Sequence, residues 1–240
     1  MSIKRNIRNQ HVKVGIKMYF AIIGDIIESK KISERFKVQE KLEGVLAQMN
    51  EEYAPVIASN FTITIGDEFQ GLLLDSTRIL EIIDKIKISM QPVDIRFGIG
   101  VGEITTKINN RLSIGADGPA YWNAREAILE IHNDNDYGKA RILIKSDENK
   151  NLIRVMNESL RLCDYIESRW RDTQKEVVER SILKFGYDLK VKQTELAQLL
   201  SLSTQALNQR IQSSGYYNYI RVRKEISETM NVEWGENNGR

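Results

Sequence analysis

FTITIGDEFQGLLL, residues 61–74, decides how the first half of this chain folds. Phe61, Ile63 and Ile65 alternate with polar neighbours, the period of a strand with one buried face. Gly66-Asp67 follows, then a second apolar run. Glycine at the first central position is what a two-residue type II′ hairpin asks for. The stretch therefore predicts a β-hairpin with acids at its tip. Asp67 alone is an ordinary turn residue, because aspartate is polar and tolerates turn geometry.

The flanking sequence extends the pattern. MYFAIIGDIIESK, residues 18–30, reads as a buried central strand ending in Gly24-Asp25. Ile32, Phe36, Gln39, Leu42, Leu46, Met49 and Tyr53 then step by threes and fours, predicting an amphipathic helix that Pro55 ends. After the hairpin, residues 76–90 predict a second amphipathic helix with Ser76 or Thr77 as N-cap, closed by Pro92. Residues 93–104 read as a strand carrying Gly98, Gly100 and Gly102. Residues 119–132 predict a helix with Pro119 in its first turn, and 140–144 a last short strand. The order βαββαβ predicts an α+β fold, a ferredoxin-like sheet with helices on one face. Strand signals end near residue 147. The expected division is a leader 1–17, a first domain 18–146, linking helices 152–185 and a helical domain 186–240.

In that topology the first strand and strand 61–65 run parallel, with the return strand between them. Asp25 and Asp67 then meet at one end of the sheet, although 42 positions separate them. Neighbouring strands lie about 4.8 Å apart, so two carboxylates there are able to share a divalent cation. Mg²⁺ or Mn²⁺ is the expected occupant, since Mg²⁺ takes a few carboxylates, keeps water and binds phosphate oxygens.

These residues resemble the catalytic palm of class III nucleotide cyclases and, more distantly, of GGDEF diguanylate cyclases. Asp25-Ile26 matches the end of the cyclase first strand, and Ile65-Gly66-Asp67 the hairpin motif. Residues 66–69 also spell Gly-Asp-Glu-Phe. Arg96-Phe97-Gly98-Ile99-Gly100-Val101-Gly102 matches the Arg-x-Gly-Ile-x-x-Gly strand. WNAREA supplies Asn123 and Arg125, similar to the cyclase Asn and Arg that act on ribose and phosphate. GDIIESKK, GDEFQGLL, RFGIGVGEI and ADGPAYWNAREAI further resemble blocks of the SatD family, small bacterial proteins. The resemblance implies a nucleotide site of Asp25, Ile26, Gly66, Asp67, Gly98, Gly100 and Arg125. Asp25 and Asp67 would be the metal ligands and Arg125 a catalytic phosphate clamp. It also implies a homodimer. Two departures stand out. Ile63 occupies the place of the lysine that selects adenine. Asn123 and Arg125 are two residues apart instead of four, which turns them about 200° from each other on a helix. Glu68 is expected to face away from Asp67, as neighbours on a strand do.

KQTELAQLLSLSTQALNQRIQSSGYYNY carries Leu196-Ala197, Leu200, Leu202, Leu207 and Ile211 at helix-turn-helix spacing. Ser203 would N-cap the second helix. That helix, about 204–213, would present Thr204, Gln205, Asn208, Gln209 and Arg210 to double-stranded DNA, where Gln and Asn suit adenine and Arg suits guanine. Lys190, Lys192, Arg221, Arg223 and Lys224 are candidate phosphate contacts. A helical hairpin used for packing or dimerisation is the competing reading.

Charge is unevenly spread. Residues 1–17 carry five basic side chains and no acid, and residues 18–150 carry a net −5. The leader reads as a flexible segment, a start placed too early or a basic arm for nucleic acid. No apolar run approaches the roughly 18–20 residues that cross a bilayer, and the N-terminus lacks a signal-peptide core, so a cytoplasmic protein without membrane contact is expected. The single cysteine, Cys163, excludes a disulfide framework and reads as core. Two functions compete with a third, a scaffold carrying a dead palm. One is a DNA-binding regulator whose palm senses a nucleotide with Mg²⁺. The other is an active nucleotide cyclase, or another nucleotidyl or phosphoryl enzyme, using Asp25 and Asp67.

Overall fold

The computed structural model describes residues 17–133 and 140–235. The basic leader lies outside them except for Lys17. The first half runs β1 (Tyr19–Ile26), α1 (Arg35–Glu52), β2 (Ile57–Ile63), β3 (Glu68–Leu73), α2 (Ile79–Met90), β4 (Ile95–Gly102), α3 (Pro119–Asn133) and β5 (Ile142–Lys145). The strands form one sheet in the order β2-β3-β1-β4-β5. β3 and β4 flank β1 antiparallel, and β5 adds to β4 in parallel. Helices α4 (Lys150–Ser168), α5 (Asp172–Phe185), α6 (Gln193–Leu199), α7 (Thr204–Ser214) and α8 (Tyr216–Trp234) follow.

The hairpin has the expected turn. Gly66 sits at φ 68 and Asp67 is not left-handed, the signature of type II′. The Glu68 amide donates to the Ile65 carbonyl at 3.2 Å. Alternation stops sooner than the sequence suggests: β2 ends at Ile63, and Ile65 is 85% exposed at the tip.

Side-chain alternation gives β1 two different faces. Phe20, Ile22 and Ile26 join a large core with α1, α2 and the C-terminal helices. Ala21 and Ile23 join a smaller core with Ala120, Tyr121, Ala124 and Ile128 of α3. Helices thus cover both faces, where one was expected. The approach of α3 depends on the β4 glycines. A Cβ at Gly98 would stand 2.2 Å from the Ala124 carbonyl oxygen, and one at Gly100 2.0 Å from that of Ala120. Gly98 and Gly100 were expected to admit a nucleotide. Their open sides are filled by α3 instead, so they serve helix–sheet packing. Gly100→Ala is expected to cost about 3 kcal/mol by forcing α3 off the sheet. Gly44→Ala, where a Cβ meets nothing within 4 Å, should gain up to about 1 kcal/mol by helix propensity. Urea unfolding of the two variants checks both signs.

The C-terminal helices continue the large core rather than starting a new one: Leu160, Val178, Leu207 and Tyr219 belong to the same buried cluster as Phe20 and Ile99. α2 is enclosed on all sides, and even Glu81, Asp84 and Lys85 are at most 5% exposed. Their partners explain how that is tolerated. Arg223 of α8 donates to Asp84 at 2.7 Å, both side chains being wholly buried. The Tyr187 hydroxyl donates to Asp84 at 2.5 Å and accepts from Arg223 Nε at 3.0 Å. Glu81 accepts from the Tyr53 hydroxyl at 2.7 Å and the Tyr187 amide at 2.9 Å. Ser76, like Thr77, is not the N-cap of α2, which starts after Arg78. Its hydroxyl donates to the Ser227 carbonyl at 3.0 Å, joining the loop before α2 to α8.

α6 and α7 are joined by residues 200–203. Ser203 Oγ accepts from the Ala206 amide at 3.2 Å, the expected cap. Ser201 takes φ 53 in this turn, a left-handed conformation that glycine adopts more readily.

Candidate functional site

β1 ends between two strands that each bring a charge beside its last acid. The register sets Asp25 opposite Glu68 of β3 and opposite Arg96 of β4. All three occupy the strand positions that point to the α3 side, as Ala21 and Ile23 do. The hairpin tip is tied to the same place, because the Ile26 amide donates to the Asp67 carbonyl at 3.4 Å. Arg96 Nε lies 3.3 Å from Asp25 Oδ2, with side chains 13% and 26% exposed. The contact is an ion pair without hydrogen-bond geometry, and buried Nε has no hydrogen-bond partner.

Burial pushes the Asp25 carboxyl above its ordinary value. Arg96 opposes that, the Asp67 and Glu68 carboxylates add to it, and His132 at the end of α3 opposes it. The Asp67 and Glu68 carboxylates thus act against a charged Asp25 at the sheet end. A raised folded-state pKa means that the charged form weakens the fold. Stability from this group is complete below its ordinary value of 3.8 and is lost as pH rises through the raised one. Asp25→Asn is therefore expected to melt higher than wild type at pH 7. The difference should vanish as the pH falls below about 4, a trend thermal melts across pH 3–7 would follow.

The expected site residues divide. Asp25, Gly66 and Asp67 come together. Ile26 is in the α1-side core, 5% exposed, and lines a cavity of about 120 Å³ with Ser29, Arg35, Gln39, Gly66 and Asp67. Arg125 is not brought there. It is exposed on α3, two helical turns before His132, roughly 10 Å along the axis. Asn123 faces the other way, buried, its amide donating to the Val101 carbonyl at 2.9 Å. Ile63 pairs with Phe69 and packs against the α1-side core, away from Asp25.

Glu68, Arg96 and His132 escaped the sequence reading as members of this cluster. Strand parity counted from Asp67 turns Glu68 to the opposite face. Asp67 belongs to the turn, and parity counts from the Asp25 register instead. Arg96 had a legible signal, since it shares the strand parity of Gly98 and Gly100. His132 had none, because its place depends on how far α3 runs along the sheet.

On α7, Thr204, Gln205, Asn208 and Gln209 are exposed. Arg210 is half-buried and pairs with Glu176 at 3.4 Å. Arg223 is a correction: it is wholly buried against Asp84 and meets no phosphate. Cys163 is buried, and burial pushes its thiol up to about 11, as befits a core residue.

Among the described residues, no three His, Cys, Asp or Glu side chains gather to hold a metal by themselves. At the Asp25 end, Arg96 is the counter-charge of Asp25, and the Asp67 and Glu68 carboxylates act against its charged form; Mg²⁺ takes only one or two carboxylates when water and phosphate complete its shell. No described helix is long and apolar enough to cross a membrane.

Comparison with known proteins identifies a family. A model described as the SatD family matches residues 19–230. No curated protein matches. Among solved structures, the chain is similar to the catalytic core of a rhodopsin-guanylyl cyclase with converted specificity in complex with ATPαS. The identity is 17% over 47% of this chain and 71% of that one, with a TM-score of 0.35. A likeness so loose transfers no residue role.

Proposed function

The chain belongs to the SatD family, and we infer that its sheet end binds a nucleoside triphosphate with Mg²⁺ or Mn²⁺, as the sensing site of a DNA-binding regulator. We read the order β2-β3-β1-β4 as the ferredoxin-like palm arrangement. One observation carries the nucleotide reading: the register that sets Asp25 beside Glu68 and Arg96, with the Asp67 tip tied to the same strand end. Asp25 and Asp67 would hold the cation, which supplies charge neutralisation for a polyphosphate.

Sensing is favoured over turnover by what the site lacks. Ile63, in the place where the cyclase resemblance implies a base-selecting lysine, packs into the core, and Arg125 is exposed on α3 two helical turns before His132. Calorimetric titration with Mn²⁺ and a non-hydrolysable triphosphate tests the reading, and absence of binding would end it. The acidic pair itself favours an enzyme as the second reading. Product formed from a natural nucleoside triphosphate and abolished by Asp67→Ala would replace sensing with catalysis.

The DNA reading rests on the N-capped helix α7 and its exposed Thr204, Gln205, Asn208 and Gln209. An electrophoretic shift at about 100 mM salt, using the region upstream of the coding sequence, should appear and should weaken in Gln209→Ala. No shift with or without triphosphate removes this part. A homodimer is the expected assembly. Trp122 and Leu129 on the outer side of α3 are 57% and 56% exposed and suit such a contact. Light scattering of the purified protein measures it.

A further inference from the structure

Arg96 sits where an incoming cation has to go. Its guanidinium neutralises Asp25 from 3.3 Å, so a bare divalent ion approaching that carboxylate meets a positive charge already in place. The pairing is nevertheless incomplete. Nε is buried and makes no hydrogen bond, while Asp25 still faces repulsion from Asp67 and Glu68. A buried donor left without an acceptor favours any rearrangement that supplies one. Phosphate oxygens do so, since they accept from guanidinium in two parallel bonds.

We propose that Arg96 is a positioning residue that makes cation binding conditional on phosphate. Without a polyphosphate it occupies Asp25 and keeps free divalent ions off the site. When a polyphosphate arrives, the guanidinium transfers to phosphate oxygens, Asp25 is released, and the cation binds between carboxylate and phosphate. Cation and polyphosphate then strengthen each other by the same factor, as linkage requires. The protein would ignore the standing pool of free Mg²⁺ and respond to the metal–nucleotide complex. This rests on the nucleotide reading of the sheet end and adds its selectivity.

The test is calorimetric titration of Mn²⁺ into the full chain, with and without a saturating non-hydrolysable triphosphate. Wild type should bind Mn²⁺ at least about tenfold more tightly with the triphosphate present, a difference of about 1.4 kcal/mol. Arg96→Gln should bind Mn²⁺ alone about tenfold more tightly than wild type and lose most of the coupling. Arg96→Lys, which keeps the charge but not the fork, should bind Mn²⁺ alone as weakly as wild type. Unchanged coupling in Arg96→Gln overturns the proposal. So does equal Mn²⁺ affinity in wild type with and without triphosphate, a result that needs no variant to fold. Failure of wild type to bind the metal–triphosphate complex at all defeats the nucleotide reading instead.

Discussion

Arg223→Ala is expected to lower the unfolding free energy by about 3–5 kcal/mol. The guanidinium and its partner Asp84 are both wholly buried, 2.7 Å apart. Removing one leaves the other as an uncompensated charge in the core. Tyr187 and Lys87 do not rescue Asp84. The Tyr187 hydroxyl already donates to Asp84 at 2.5 Å but carries no positive charge to balance it, and Lys87, 3.4 Å from Asp84, also holds Glu167 at 2.7 Å. Replacing both partners with apolar residues, Arg223→Met with Asp84→Leu, should recover most of the loss, because desolvating two charges consumes much of what their attraction returns. Denaturant unfolding at neutral pH reads both. The same experiment bears on organisation: Arg223 joins α8 to α2, so sheet and C-terminal helices should unfold in one transition. Two separated transitions, or a single-variant loss under about 1 kcal/mol, would contradict the shared core.

Asp67→Ala is expected to weaken binding of Mn²⁺ with triphosphate by about 100-fold or more while leaving the fold intact. Even residues that only orient metal ligands change affinity by about 10–100-fold when removed. The turn survives because Gly66 supplies the left-handed conformation and the Glu68-to-Ile65 backbone bond needs no side chain. Removing an acid that acts against a charged Asp25 should, if anything, help that strand end. Asp147→Ala, an exposed acid outside this cluster, is the matched control and should bind as wild type. Calorimetry gives the affinity, and a melting curve shows that the variant is folded.

Much of this was legible in the chain. The Gly66-Asp67 hairpin, the apolar run of β1 and the threes-and-fours of α1 are local patterns, and each element forms, although Phe36 of the expected α1 stripe is 73% exposed. Chain order alone brought Asp25 to the hairpin tip, because β3 lies between β1 and β2. What failed depended on tertiary partners. Residues 76–90 read as an amphipathic helix with one buried face, yet Asp84 faces Arg223 of α8, Glu81 the Tyr187 amide and Lys85 the Glu52 carboxylate of α1. Arg223 read as a surface cation for the same reason: a buried charge and an exposed one look alike until the opposing acid is found. The glycines of β4 marked a close approach, but nothing local says whether a ligand or a helix makes it. Arg125 was carried by motif order, which fixes its helix but not its distance from the carboxylates.

We propose that Asp25 and Asp67 form the metal end of a nucleotide site. The most direct measurement is a crystal soaked with Mn²⁺ and a non-hydrolysable triphosphate, examined by anomalous diffraction. A manganese peak between the Asp25 and Asp67 carboxylates, with phosphate density against Arg96, is the predicted result. Saturating soaks that leave those carboxylates without manganese, and Arg96 still against Asp25, would contradict it.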